Sequence, residues 1–366
     1  MMTPDEISAL LNHTIPIIQK RLAERDRITR ITVEEMAALL DAEQANKNRR
    51  GIVEWLKLGI EAGRLPDARY CLGYHDRAGC FKSALQKYIR RSMTEQALRA
   101  GRSLWRMGKS PAIARLKIIV PEDAHCAIGL LEHVSDDMTE ATYLGIVAAV
   151  AAAPKDKSSC PLAIQMDEDG AMEGLVPDVA VIREHLLDRS KLPVVARHAF
   201  RLCQMGRQEE VMEMLGNSNV VRTLIGRQKA GTVWGDDSTL LVIAAVRYAQ
   251  GDYDASMQPS QVEPHTITPL RLDEVDWYAL DFHTAVGRVA ERIFLSRHEI
   301  DSKRLRRAWF VNESGKLEGN IVSSEWDAMP RDTAFWLRHA PEIERLTRYM
   351  LQRFQLEQHG RLTSAE

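Results

Sequence analysis

Residues 80–123 read CFKSALQKYIRRSMTEQALRAGRSLWRMGKSPAIARLKIIVPED, and the spacing inside this stretch decides the fold. Phe81, Ala84, Leu85, Tyr88 and Ile89 recur at i, i+3, i+4, i+7 and i+8, the stripe of a helix buried along one side. That helix is predicted to stop at Arg91. Ser92 and Glu95 then form a capping-box pattern that opens a second helix near Met93. Ala97, Leu98, Gly101, Leu104 and Trp105 share one face of it, with Arg99, Arg102 and Arg106 pointing away. Gly108 is predicted to end it as a left-handed residue. Ser110 and Pro111 are predicted to cap and begin a third helix that Pro121 closes.

Working outward, the same helical punctuation recurs. Ile7, Leu10, Leu11, Ile15, Ile17 and Ile18, then a capping box at Thr32 and Glu35, describe an N-terminal helical arm over 1–50. Ile52, Trp55, Leu56 and Ile60 line a helix that ends at Gly63. Residues 124–153 read as two helices broken around Ser135 to Met138, and the loop chemistry of 154–176 marks a linker. Beyond it come a helical hairpin turning at Gly206, a loop over 226–237 and an apolar helix ending at Gly251. An irregular acidic stretch, Tyr253 to Asp276, leads to a helix within Trp277 to Leu295, a basic segment Lys303 to Phe310, and a closing helix from Pro341 to Glu357. The expected architecture is all-α in two helical lobes built of short helices and hairpins. The first lobe spans 51–153 and the second 177–366.

Charge is distributed unevenly. The net charge is −2 over 366 residues. Lys47 to Lys117 holds 17 Lys and Arg against 5 Asp and Glu, whereas Asp252 to Asp281 holds 7 acids and the single Arg271. Five scattered cysteines fit a reducing compartment, and no apolar run approaches the roughly 18 residues of a membrane span. A cytoplasmic protein without a membrane partner is expected.

The candidates for chemistry are few. Gly108-Lys109-Ser110 resembles the end of a phosphate loop, but Ser103 stands where that loop needs glycine and a helix precedes it instead of a strand. No ATPase activity is expected. Cys71, His75 and Cys80, with His125 or Cys126 as a distant fourth, fit no closed zinc pattern, so neither metal nor cofactor is expected. Asp281 and His283, beside Thr284 and several aromatic residues, are proton-transfer residue types. Asp281 or Thr284 serves equally as N-cap of a helix starting at Ala285, and capping is the favoured reading. Lys82, Lys87, Arg90, Arg91, Arg99, Arg102 and Arg106 form the candidate nucleic-acid-binding patch, since few acids interleave and Tyr88 and Trp105 lie near. Arg115 is singled out as a buried structural partner for Glu122 or Asp123.

Ser83-Ala84, Ile89-Arg90-Arg91, Ala97-Leu98, Ala114-Arg115-Leu116 and Glu122-Asp123 resemble the C-terminal region of the MgsA/RarA family, AAA+ ATPases that act at stalled replication forks. In that family a helical region related to the clamp-loader collar holds the oligomer together. The resemblance implies a collar-like domain, a homo-oligomer, DNA as a partner in replication or repair, and an ATPase partner supplied in trans. It departs from the family in that only 79 residues precede the match, too few for the ATPase module. The expected function is a non-enzymatic helical scaffold or DNA-associated accessory protein. The alternatives are a nucleic-acid-processing enzyme using Asp281 and His283, or a protein-interaction module whose basic and acidic patches pair between subunits.

Overall fold

The structure, a computed structural model, describes residues 74–135, 137–168, 174–226, 236–295, 297–322 and 331–362. The N-terminal arm, the helix expected over 52–62 and Cys71 lie outside the described residues. Among the described residues the protein is all-α, with no strand and two isolated bridges, Ala124 with Asp156 and Lys155 with Ile321. No helix among them is long and apolar enough to cross a membrane.

The chain divides into two compact units. The larger comprises Phe81–Ala279 and Arg307–Thr333, and the smaller Met1–Cys80, Leu280–Arg306 and Ala334–Glu366. The described parts of the segment 154–176, expected as a linker, therefore belong to the larger unit. The segment's first residues explain why. Lys155 is buried, and its Nζ donates to the carbonyls of Val150 at 3.1 Å, Ala151 at 2.8 Å and Ala153 at 2.5 Å. Polar residues that suggest a loop here close the end of a buried helix whose last carbonyls would otherwise lack donors.

The larger unit begins at Phe81 within α1 (Tyr74–Arg90) and continues with α2 (Thr94–Met107) and α3 (Lys109–Asp123), the three helices of the deciding stretch. The punctuation between them differs from expectation in detail. Ser92 adopts φ 55 and its hydroxyl donates to the Glu318 carbonyl at 3.1 Å, so it is spent on docking a later loop, and the cap of α2 at Met93 has no side-chain bond. Gly108 ends α2 with φ 163, an extended conformation, while its N–H reaches the carbonyls of Leu104 and Trp105. The third helix starts at Lys109, one residue before the expected cap, and runs through Pro121 to Asp123.

A 3-10 segment, His125–His133, leads to α4 (Glu140–Ala152), capped by Thr139, whose side chain accepts from the Thr142 N–H at 3.1 Å. Every residue from Tyr143 to Ala151 is buried, so α4 is the core helix against which α2 packs. Gly145 permits one close approach, because a Cβ there would lie 2.3 Å from the Ser260 carbonyl oxygen. The irregular stretch thus lies directly on the core helix, held by the Ser260 N–H to Gly145 carbonyl bond of 3.0 Å.

Next come α5 (Ser159–Glu168), α6 (Val179–His185), α7 (Leu192–Gln204), α8 (Gln208–Met214), α9 (Asn219–Ile225) and α10 (Asp236–Ala249). The hairpin of α7 and α8 turns at Gly206, φ 77, and α10 ends at Gly251, φ 68, both as the sequence predicts. Helix α10 packs against α5, α7 and α9. In the smaller unit, α11 (Ala285–Leu295) and α13 (Thr333–Leu362) lie whole or nearly so, and α12 (Ser302–Trp309) begins there. Ile343, Leu346 and Met350 lie on the buried face of α13, while Tyr349 is exposed.

Candidate functional site: a buried polar network and an Asp–His pair

Helix α1 is buried on two faces, where its apolar stripe predicts one. Beside that stripe, Ser83, Gln86, Lys87 and Arg90 fall at i, i+3, i+4 and i+7 and are all buried. Arg90 Nε donates to Asp123 Oδ1 at 2.7 Å, its Nη1 to the Ser314 carbonyl at 2.8 Å, and its Nη2 to Glu122. Gln86 Nε2 bridges the same two acids, at 2.7 Å to Glu122 and 2.8 Å to Asp123, and accepts from Arg115 through its Oε1. Lys157 Nζ lies 3.6 Å from Asp123 Oδ1, and the Phe310 ring faces both cations, 5.8 Å from Arg90 and 5.3 Å from Lys157. Lys87 donates to Ser83 Oγ at 2.6 Å.

The electrostatics follow from that packing. Burial alone would raise the Glu122 pKa, yet the charges of Arg90, Lys157 and Arg115 with the Gln86 bond hold it down, to about 2. Burial opposes the Arg90 charge, and Asp123 and Glu122 outweigh it, so its pKa rises. Burial and the neighbouring Arg90 lower the Lys157 pKa, and burial beside Glu122 pushes the Cys160 thiol up to about 12. A thiol in that state is an inert packing group. The buried pair expected of Arg115 is thus made by Arg90, while Arg115 joins through Gln86.

Most of the candidate nucleic-acid patch is engaged inside the chain. Arg91 pairs with Glu313 at 3.0 Å and Glu318 at 3.1 Å, and its guanidinium lies 3.9 Å from the Tyr278 ring centre. Arg99 pairs with Glu274 at 2.6 Å and donates to the Thr268 carbonyl, and Arg102 pairs with Glu140 at 3.2 Å and donates to the Ile267 carbonyl. The acidic stretch therefore engages Arg99 and Arg102 of α2 within one chain, through Glu274 and the Thr268 and Ile267 carbonyls, and pairing between subunits is not needed to account for these two. Lys82 is partly exposed and Arg106 exposed. Sequence reasoning missed Gln86, Lys157 and Ser314. Only the i, i+3, i+4, i+7 spacing of Ser83 to Arg90 signals the buried polar face.

A second polar hub joins the start of α5 to the end of α10. Arg247 donates to Asp252 at 2.7 Å, Ser158 at 2.8 Å, Ser159 at 2.7 Å and Asp156 at 3.1 Å. His125 lies close by, and its burial and the Arg247 charge hold its pKa down, to about 3. Neither hub resembles a metal centre. No group of three or more His, Cys, Asp or Glu among the described residues is placed to hold a metal ion. Of the zinc candidates, Cys80 and His125 are buried. Lys109 of the Gly108-Lys109-Ser110 tripeptide sits at a helix start, its Nζ 5.7 Å from the Trp105 ring.

The Asp281 and His283 pair belongs to the smaller unit. Thr284 is the cap of α11, donating to the Asp281 carbonyl at 2.8 Å and accepting from the Gly287 N–H at 3.0 Å. Gly287 is required by close approach, since a Cβ there would meet the Asp281 carbonyl oxygen at 1.9 Å. The buried Asp281 carboxylate accepts from the His283 N–H and lies 3.1 Å from His283 Nδ1, while the imidazole is 59% exposed. This turn fixes one ring nitrogen of His283 and leaves the ring reachable from solvent, the arrangement of an oriented proton-transfer group. Comparison with family models, with curated proteins and with solved structures gives no match to the chain.

Proposed function

We propose that the chain is a non-enzymatic helical scaffold of the replication and repair type, which self-associates through its collar-like region and associates with DNA. What supports this reading is one observation. The resemblance-bearing residues Arg90, Arg115, Glu122 and Asp123 all bond within the set of polar contacts that α1 and α3 bury between them. Residues used in this way hold helices in register. The scaffold reading expects a light-scattering mass above the 41.4 kDa of one chain at micromolar concentration. It also expects no ATP turnover. A monomer in low salt, or turnover abolished by Lys109→Ala, overturns it.

The second reading is a nucleic-acid-processing enzyme, favoured by the 3.1 Å Asp281 to His283 contact with the ring exposed. It expects purified protein to cleave or modify a nucleic acid, with turnover lost in His283→Ala and binding retained. Equal turnover in that variant removes it.

A further inference from the structure

Positive charge in the smaller unit is presented outward. Arg304 of α12 is exposed and its guanidinium lies 4.2 Å from the Phe335 ring centre on α13, which holds a flexible side chain in one orientation. On α13, Arg338, Arg345, Arg348 and Tyr349 are exposed and fall within about a third of the helical circumference over three turns, a stripe roughly 16 Å long. Tyr349 sits with Arg345 and Arg348 in a shallow cleft that Pro341 and Glu344 complete.

Among the described residues, few acids lie near the stripe. Glu344 pairs with Arg348 at 2.8 Å, and Glu342 is shared between Arg297 at 3.3 Å and His298 at 2.8 Å. Asp301 is occupied at the start of α12, accepting from the N–H groups of Lys303 and Arg304, each at 3.2 Å. His339 completes the surface, its ring centre 5.7 Å from that of His298 and 4.7 Å from that of Phe335. Burial lowers its pKa first, and then the positive charges of His298, Arg338 and Arg304, with Glu342 acting the other way. Arg297 bonds the same Glu342 and adds to the cationic side.

We infer that the α13 face from Arg338 to Tyr349, continued by Arg304 on Phe335, binds the phosphate backbone of single-stranded nucleic acid. This deepens the DNA-associated reading above and rests on it. A stripe of this length fits successive phosphates of a polymer better than one small anion. Stacked arginine presents its N–H edge to phosphate oxygens, and an exposed tyrosine beside arginines offers a base a stacking platform.

The test is anisotropy of a fluorescent single strand of about 20 nucleotides, at low and at physiological salt, with wild type and R338A/R345A/R348A. Affinity is expected to fall about tenfold or more, and the slope of log K against log salt to flatten by about 2, roughly 0.7 for each lost phosphate contact. Wild-type binding is expected to tighten as pH falls from about 7.5 to about 6, less so in His339→Gln, because bound phosphate favours the protonated ring. The single variant R345A, at one exposed position, reads the same change in smaller measure should the triple variant fold poorly. If wild type binds and these variants bind equally well, this surface is wrong while the DNA-associated reading stands. Wild type that binds no single or double strand overturns both. Binding to phosphatidylserine vesicles without binding to DNA overturns the assignment in favour of a membrane.

Discussion

Arginine does opposite work in two regions of this molecule. In α1 and α2 of the larger unit, Arg90, Arg91, Arg99 and Arg102 are paired with carboxylates from distant parts of the chain, and Arg90 is almost wholly buried. In α12 and α13 of the smaller unit, Arg304, Arg338 and Arg345 stand exposed. By local charge the first region is the better candidate for a polyanion. The difference teaches that a surplus of basic residues along a sequence is no measure of the charge a fold presents. Partners more than a hundred residues away, such as Glu274 for Arg99 and Glu313 for Arg91, cancel it.

The contrast is broken most readily at its buried side. Asp123→Ala removes the carboxylate beside Arg90 and Lys157, leaving these buried cations less compensated, with Glu122 still paired to Arg90, and is expected to cost about 3 kcal/mol in urea unfolding. A loss below about 1 kcal/mol contradicts the internal role of this charge. In the smaller unit the largest effect lies away from the basic stripe. Gly287→Ala drives a methyl into the Asp281 carbonyl and is expected to cost about 1–3 kcal/mol. It also disturbs the turn that orients His283, which the imidazole NMR chemical shifts read directly.

Acid sharpens the comparison. Glu122 has a folded pKa of about 2 against about 4.3 in an unfolded chain, so its stabilisation is complete above about 4.3 and is lost as pH falls toward 2. His125, held neutral to about 3, adds a loss that begins as pH falls below about 6.5, where the unfolded imidazole takes up a proton and the folded one does not. Urea midpoints followed from pH about 7 to about 2.5 are expected to show both windows. Glu122→Gln flattens the lower one, and an unchanged profile in that variant contradicts the pairing. The smallest effect belongs to the partly exposed pairs. Arg99→Ala and Arg102→Ala are each expected to cost about 0.2–1 kcal/mol by thermal melting and to leave nucleic-acid affinity unchanged.

Much of the fold was legible because helical spacing and glycine turns are local signals. The apolar stripe of α1, the turns at Gly206 and Gly251 and the end of α2 at Gly108 stand where local spacing puts them, whereas the buried face of α2 takes in Ala100 and Ser103 and leaves Leu98 and Trp105 half-buried. Cap identities were less legible. Ser92 carries a capping-box pattern, and a loop arriving from residues 318–319 takes its hydroxyl instead. The loop chemistry of 154–157 was misleading in the same way, since buried lysines and solvated ones look alike until the carbonyls of α4 appear beside Lys155. At the candidate sites, the Thr284 cap and the closeness of Asp281 to His283 follow from short spacing. The fate of Arg91 and Arg99 depended on contacts across 170 residues or more, which no local pattern records.

The account rests on the claim that Arg90 belongs to the fold while Arg304 belongs to the surface. Urea unfolding of Arg90→Ala and Arg304→Ala in one buffer tests it most directly. The expected result is a loss of about 3–5 kcal/mol for Arg90→Ala against a change within about 0.5 kcal/mol for Arg304→Ala. Equal small losses in the two variants would contradict it.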